Sequence, residues 1–377
     1  MTYALPIKYS AEFLPRLKSI TVNIEITDAS YIPTQAVMAS PTVCSVTFGD
    51  LTSDAETTYQ LSLPHPAMEN LPVLSLIRKD VHNDLLYSIK LPAAATVEDS
   101  KYFDRSANFS MTMATDHVKW STKDIKAKLS GSKLGFTFNC GKCNATILID
   151  TQVTAFHDLP SELWLEMMDF WHCHKPETGE IHGTANRYTK LRPRANGVII
   201  GSYYLLTNAD DFPSITVVGD AAQCTACAYE LGNMDDDLLV KLFKWNLILV
   251  VKGSEEMYLP YYHAYGVMLD AINSQASRVY QVKNESEESE MLVWVFNVGI
   301  NLTLSGRELT NCLKIMYMRP GDGYREEIER RRDGLEVIGL SEVVYKSLVE
   351  TLDDVHENLP QCQDQFMGWN VSYLSEK

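Results

Sequence analysis

The sequence has 377 residues, of which 45% are hydrophobic and 22% charged, a composition that excludes disorder and a length that implies two or three domains. Asp+Glu number 49 against Lys+Arg 33, a net charge of -16, so phosphate backbones and anionic membrane surfaces are poor partners, and neither nucleic acid nor membrane is expected to bind directly. No window approaches the ~18 apolar residues of a membrane span, and the prolines of MTYALPIKYSAEFLPRLK interrupt any leader-like core; an intracellular protein with reduced thiols is expected.

Along residues 1–135, ITVNIEI (20–26), TVCSVTF (42–48), TYQLSL (58–63), DLLYSIKL (84–91) and NFSMTM (108–113) alternate apolar and polar positions, as half-buried strands do. This stretch is expected to form a β-rich sandwich or barrel, and it carries no catalytic motif.

Residues 136–233 change character. FTFNCGKCNATILID reads as strand, tight turn, strand, with Cys140 and Cys143 at the turn. ANGVIIGSYYLLTN (195–208) reads as a strand pair, and SITVVG (214–219) as a strand leading to CTACAYELG, which holds Cys224 and Cys227. Between them DLPSELWLEMMDFWHCHKP predicts a helix. Asp158 and Ser161 are candidate N-caps, Pro160 suits the first turn, and Leu163, Trp164, Met167, Met168 and Trp171 form an apolar stripe. Pro176 ends it, which delivers Cys173 and His174 to the helix C-terminus.

Residues 234–377 form a third segment of mixed strands and helices. HAYGVMLDAINSQA (263–276) and LSEVVYKSLVETLDDVHENL (340–359) read as helices. RVYQVK, MLVWVFNV, LKIMYM and WNVSYL (369–374) read as strands, and KNESEESE (283–290) as an acidic loop. The run Arg330, Arg331, Arg332, interleaved with Glu326, Glu327 and Glu329, reads as a solvated helix face, and Asp235, Asp236 and Asp237 as an exposed helix start. The whole is expected to be mainly β with some α (α+β), in three domains: 1–135, 136–233 and 234–377.

Eight cysteines in a reducing compartment need an explanation other than disulfides, and four fall in two C-x-x-C pairs. Two thiolates on one tight turn fill two corners of a tetrahedron and a second turn fills the other two, which suits a structural Zn²⁺ held by Cys140, Cys143, Cys224 and Cys227. Cys173 or His174 is an alternate ligand, stands beside the site, or does other work. His172, His174 and His182 lack the spacing of an independent site. A redox C-x-x-C would sit at a helix start within a β-α-β pattern, which the sequence does not show. Nor does it contain a nucleophile elbow, a P-loop or a dinucleotide fingerprint.

The combination of NCGKC, then LPSELWLEMMDFWHCH, then CTACAYELG resembles the HECT-like ubiquitin-protein ligases also described as ubiquitin-conjugating-enzyme (E2)-binding proteins. The motif residues are Cys140/Cys143, Leu159-Pro160-Ser161 with Trp164, Trp171 with Cys173-His174, and Cys224/Cys227 with Leu231-Gly232. IGSYYLLTN, MLVWVFNV and LKIMY are also similar. The resemblance implies binding of a ubiquitin-charged E2 and acceptance of ubiquitin as a thioester before transfer to a substrate lysine. From fungal members it also implies support of pre-mRNA 3′-end cleavage and polyadenylation through the cleavage endonuclease, in cytoplasm and nucleus. A thioester acceptor has to be an accessible, reactive cysteine. Cys312, at the start of an apolar strand, is expected to be buried and inert. Cys362, in the polar turn NLPQCQDQF, and Cys173, beside His174, are the candidate acceptors. Against the ligase stands a second reading, a non-catalytic zinc-containing assembly factor that grips a protein client.

Overall fold

The structure, a computed structural model, describes residues 7–68, 74–78, 85–96, 119–130, 135–159, 192–234, 238–275 and 277–375. The chain forms two compact units, Met1–Ser110 with Val267–Lys377, and Met111–Gly266. In chain order the first unit begins with β1 (Ile7–Leu14), β2 (Ser19–Ile26), β3 (Tyr31–Ser40), β4 (Val43–Asp50), β5 (Glu56–Ser62), β6 (Ile77–Arg78) and β7 (Leu86–Pro92). The second unit holds α1 (Thr122–Leu129), β8 (Phe136–Cys140), β9 (Thr146–Ile149), β10 (Ala155–Asp158), β11 (Gly197–Ile200), β12 (Tyr204–Asn208) and β13 (Ile215–Val218). It continues through β14 (Ala221–Cys224), β15 (Glu230–Met234), β16 (Leu239–Phe243), β17 (Leu247–Val251) and β18 (Ser254–Met257). After α2 (Tyr261–Gln275), the first unit resumes with β19 (Val279–Asn284), β20 (Glu290–Leu304), β21 (Arg307–Met318), α3 (Tyr324–Arg331) and β22 (Glu336–Leu340). It ends with α4 (Glu342–Asn358), α5 (Gln361–Asp364), β23 (Gln365–Phe366) and β24 (Trp369–Leu374).

The first unit is built on a ten-stranded sheet in the order β23-β24-β21-β20-β1-β2-β7-β6, with β19 joining β20 to β22. β1 lies between β2 and β20, its register with β20 running from Ser10↔Leu304 to Phe13↔Asn301. Residues 9–13 are all buried, as expected of a strand covered on both faces. The separate sheet β3-β4-β5 packs Cys44, Val46, Phe48 and Leu61 against Ile20, Val22 and Ile24, a sandwich arrangement. At the other end, Val344, Tyr345, Leu348, Leu352 and Val355 line the buried face of α4. Each such side chain contributes roughly 1.5–3 kcal/mol relative to exposure.

The mainly-β character agrees with the sequence reading, but the grouping differs from the three segments expected there. The N-terminal strands and the C-terminal segment share one sheet through β1 and β20. Alternation identifies a strand but not its partner.

The second unit combines a seven-stranded sheet, β10-β11-β12-β16-β15-β14-β13, with a four-stranded one, β18-β17-β8-β9. One core serves both: Trp120, Phe138, Leu148, Ile200, Leu205, Leu242 and Leu249 are buried together. Asp158, expected to cap a following helix, is the last residue of β10. Its carboxylate accepts the backbone N–H and the hydroxyl of Thr122 (2.8 and 2.5 Å) at the start of α1. The strand read at 108–113, the helix after Pro160 and the Asp235–Asp237 run lie outside the described residues. No helix among the described residues is long and apolar enough to cross a membrane.

Candidate metal centre

Two hairpins of the second unit bring four cysteines together. Cys140 ends β8 and Cys143 lies in the turn to β9; Cys224 ends β14 and Cys227 lies in the turn to β15. The two turns are built alike. The Cys140 N–H donates to the Ala145 carbonyl (2.8 Å) and the Asn144 N–H returns to the Cys140 carbonyl (3.0 Å). In the second, Cys224 donates to Tyr229 (2.9 Å) and Ala228 returns to Cys224 (2.8 Å). Asn144 and Ala228, each one residue past the second cysteine, share a left-handed backbone at φ 58° and 56°. That twist closes a C-x-x-C turn with both thiols pointing the same way.

The sulfurs converge from the two turns. Cys140 Sγ lies 3.7 Å from Cys227 Sγ, and Cys143 Sγ lies 3.8 Å from Cys224 Sγ; all four are within 4.8 Å of one another. A tetrahedron with metal–sulfur bonds of ~2.3 Å has edges of ~3.8 Å. The four cysteines therefore fit a metal ion, and the donor set is all thiolate.

The hairpins are clamped on either side of the sulfurs. Asn246, just before β17, accepts the Gly141 N–H on its backbone carbonyl (2.9 Å) and the Tyr229 hydroxyl on its side-chain oxygen (3.1 Å). A Cβ on Gly141 would stand 2.9 Å from that Asn246 carbonyl, so only glycine permits the approach. Ser214 donates to the Ile147 carbonyl (2.6 Å) and its own carbonyl accepts the Thr225 N–H (3.0 Å). The C-x-x-C spacing pointed to the cysteines, and nothing local pointed to Asn246 or Ser214, whose roles depend on the tertiary approach of two hairpins.

The thiols differ in their environments. The Ala145 backbone N–H, with help from Cys227, brings the exposed Cys143 down to about 7. At Cys227 the Tyr229 N–H favours the thiolate, but burial and the other three sulfurs outweigh it and push the thiol up to about 12. Burial also raises Cys140. Four thiols this close cannot all ionise unless a cation sits among them. A cation with four sulfur ligands would have no open position for substrate or water, which makes the centre structural in kind. Both pairs sit at hairpin turns, not at a helix start.

Beside Asn246, Lys244 is fully buried; its Nζ donates to the carbonyls of Lys119 (2.7 Å) and Ser202 (3.0 Å). Burial pulls it down to about 7. Burial, then the Lys244 charge, pulls the neighbouring His263 down to about 4.

The remaining candidates are scattered. Cys173 and His174, with His172 and His182, lie outside the described residues. Cys312 is buried in β21 and its thiol is pushed up to about 12 by that burial. Cys44 is buried in β4 and raised to about 11 for the same reason. Cys362, expected in an exposed turn, is half-buried on the single turn of α5. Its neighbours tie that turn to acidic residues: the Gln361 N–H donates to Glu25 (3.1 Å) and the Gln363 amide to Glu12 (3.4 Å). The arginine run is also not a simple solvated face. Arg331 is held by Glu327 (2.6 Å) and lies 5.5 Å from the Trp294 ring and 5.9 Å from that of Trp369.

Comparison with known proteins gives a consistent relationship. The sequence model of a family described as HECT-like ubiquitin-conjugating enzyme (E2)-binding matches residues 12–371. A Saccharomyces cerevisiae protein, "Uncharacterized protein YJR141W", is 26% identical over 372 residues, 98% of this chain and 99% of the relative. A Schizosaccharomyces pombe protein, "Uncharacterized protein C1734.10c", is 27% identical over 137 residues, 35% of this chain and 39% of the relative. No solved structure matches.

Proposed function

The chain belongs to the family of HECT-like ubiquitin-conjugating enzyme (E2)-binding proteins, and from that premise we propose that it binds a ubiquitin-charged E2 and promotes discharge of the ubiquitin. The observation that carries this reading is the extent of the family match, residues 12–371, which takes in both compact units. In the same reading the four-cysteine cluster holds a structural Zn²⁺ that fixes the second unit.

The finer proposal is that ubiquitin passes through a cysteine of this chain. Of the cysteines described outside the cluster, Cys44 and Cys312 are buried and Cys362 is half-buried, so Cys362 is the acceptor in this scheme. Its thiolate attacks the thioester carbonyl at the ubiquitin C-terminus and the E2 cysteine leaves as a thiolate. A substrate lysine amine then displaces Cys362, losing one proton as the isopeptide bond forms. The client proposed from the motif resemblance is the endonuclease subunit of the pre-mRNA cleavage and polyadenylation machinery, met in cytoplasm and nucleus. Co-precipitation of that subunit with the tagged chain tests this part.

A second reading, binding without covalent transfer, is favoured by the surroundings of Cys362. Cys362 is half-buried, and the residues on either side of it are tied into the fold by hydrogen bonds from Gln361 to Glu25 and from Gln363 to Glu12, which restricts the access that a thioester acceptor needs. Single-turnover discharge of ubiquitin-charged E2s, read on gels with and without reductant, separates the two. Accelerated discharge with a reducible adduct that Cys362→Ala removes supports the thioester route. Accelerated discharge with no adduct supports binding alone, and no acceleration with any E2 of a full panel refutes the E2 reading.

A further inference from the structure

Apart from the metal centre and the cysteines, the first unit carries an unusual surface. β23 and β24 form a hairpin in which Phe366 pairs with Trp369, leaving Met367 and Gly368 as a two-residue turn. Both turn residues have positive φ, 50° and 83°. Such turns favour Asn-Gly or Asp-Gly, because a left-handed backbone disfavours most side chains. Here methionine takes the first position and is 81% exposed.

A second local irregularity points the same way. In the pairing of β20 with β21 the register skips Phe296, since Val295 faces Ile315 and Asn297 faces Lys314. Phe296 is the extra residue of a bulge, a device that re-aims a side chain out of the sheet, and it is 44% exposed, as is Phe366. The two rings lie 6.3 Å apart, and Phe296 lies 5.5 Å from Trp294. Trp294 in turn lines a cleft of about 550 Å³ with Arg278, Arg330, Arg331 and Arg332; Arg330 and Arg331 pair with Glu327 and Arg332 with Glu329. Arg278, half-buried, has no side-chain hydrogen bond or ion pair among the described residues. In a chain of net charge -16, a half-buried guanidinium at Arg278 left over beside three ion-paired arginines, joined to an exposed aromatic and methionine ridge, offers a place where a carboxylate and an apolar side chain can be received together.

We propose that Phe296, Phe366 and Met367, together with the Arg278 cleft, form a docking surface for an acidic protein segment that presents a large apolar side chain flanked by carboxylates. The apolar side chain packs on the ridge, where methionine adapts to its shape, and a carboxylate pairs with the Arg278 guanidinium. This goes beyond E2 binding and holds whether or not ubiquitin is transferred.

The test is selection of a random 12-residue peptide display library on the immobilised full chain, followed by fluorescence anisotropy with the most enriched peptide, synthesised and labelled. The expected result is enrichment of peptides rich in Asp and Glu around Leu, Ile, Phe or Met. The synthetic peptide should bind at least tenfold more weakly to Met367→Asn and to Arg278→Gln, with unfolding midpoints no lower than wild type. Met367→Asn places a favoured residue in the turn, so loss of binding would not reflect loss of fold. No enrichment, enrichment of peptides lacking acidic residues, or unchanged affinity in both variants would overturn the proposal. Concentration-dependent dimerisation in sedimentation runs, abolished by Met367→Asn, would assign the face to a second copy and overturn it equally.

Discussion

Cys224→Ser and Cys143→Ser remove equivalent members of the same sulfur tetrahedron, but the structure makes them unequal. Structural zinc contributes roughly 10–16 kcal/mol of apparent binding energy, so one ligand of four carries about 3–4 kcal/mol. Cys143 is exposed, and its replacement should cost that share alone. Cys224 is only 1% exposed within the second unit's core, so its hydroxyl replacement adds roughly 1–3 kcal/mol for a buried polar group. The sum, about 4–7 kcal/mol, is comparable to the whole stability of a typical domain. Metal content by mass spectrometry, chelator titration and near-ultraviolet dichroism give the readout. Wild type should hold one zinc per chain. Cys143→Ser should stay folded but release metal to chelator about 10²–10³-fold more readily, as its share of the energy implies. Cys224→Ser should carry no metal and lose the aromatic signal of the Trp120 core. A Cys224→Ser protein that keeps one metal ion per chain and a wild-type dichroism spectrum would refute the reasoning.

Gly141→Ala should destabilise the second unit by about 1–3 kcal/mol, a typical overpacking cost, because its Cβ meets the Asn246 carbonyl at 2.9 Å. Ala228→Gly should stabilise it by about 0.5–1 kcal/mol by relieving the left-handed backbone; chemical denaturation measures both. Lys244→Met should change how stability depends on pH. The folded amine titrates at about 7 against 10.5 for an ordinary lysine, so the unfolded chain holds the extra proton between those values, and wild-type stability rises with pH across that window and is flat below it. Relative to Lys244→Met, wild type should therefore gain on the order of 3 kcal/mol between pH 7 and pH 9.5, and parallel curves would contradict the burial argument. Lys314→Met in the first unit should cost about 3–5 kcal/mol by leaving a buried charge without its cation, because Lys314 donates to both oxygens of the buried Glu12 at 3.0 Å and the uncharged Gln363 amide reaches it only at 3.4 Å. The double variant Glu12→Gln/Lys314→Met should recover much of that loss in urea unfolding.

Sequence reading succeeded where a local pattern carries the physics. β2, β4, β5 and β7 alternate apolar residues on a deeply buried face with polar residues, so alternation revealed them, and α4 announced itself by its apolar stripe. β1 alternates too, with Ile7, Tyr9, Ala11 and Phe13 against Lys8, Ser10 and Glu12, but the burial of Ser10 and Glu12 on its polar face was not legible, because it depends on the distant partners that cover that face. β3 is half exposed and contains Pro33 at a register shift, which argues against a strand by composition. α1 buries only Ile125 and so lacks a stripe. MLVWVFNV was legible as a strand, but the bulge that ejects Phe296 was not, since nothing in the run itself breaks the register. The two C-x-x-C turns were legible one at a time, and only the thiolate chemistry joined them across 80 residues of chain. The aromatic neighbours of Arg331 lie on β20 and β24, far away in sequence, so a run of charges looked solvated when one member is packed against tryptophan.

The arrangement of the cysteines also constrains where activity can reside. Four sulfurs complete a tetrahedron, and the clamps at Asn246 and Ser214 hold the two turns from outside it. A metal held there would contribute folding energy and close a long loop, but would offer no vacant coordination position for chemistry. Two other thiols, Cys44 and Cys312, are buried and held protonated. Under the proposed thioester route, the acceptor would therefore be Cys362 or Cys173. Recognition is a different matter, because the first unit exposes Met367 and Phe296 through a strained turn and a bulge, two backbone features that idealised strands would not contain. The proposed docking surface joins these side chains to Arg278, which has no side-chain hydrogen bond or ion pair among the described residues, and the docking variants test it independently of any transfer of ubiquitin.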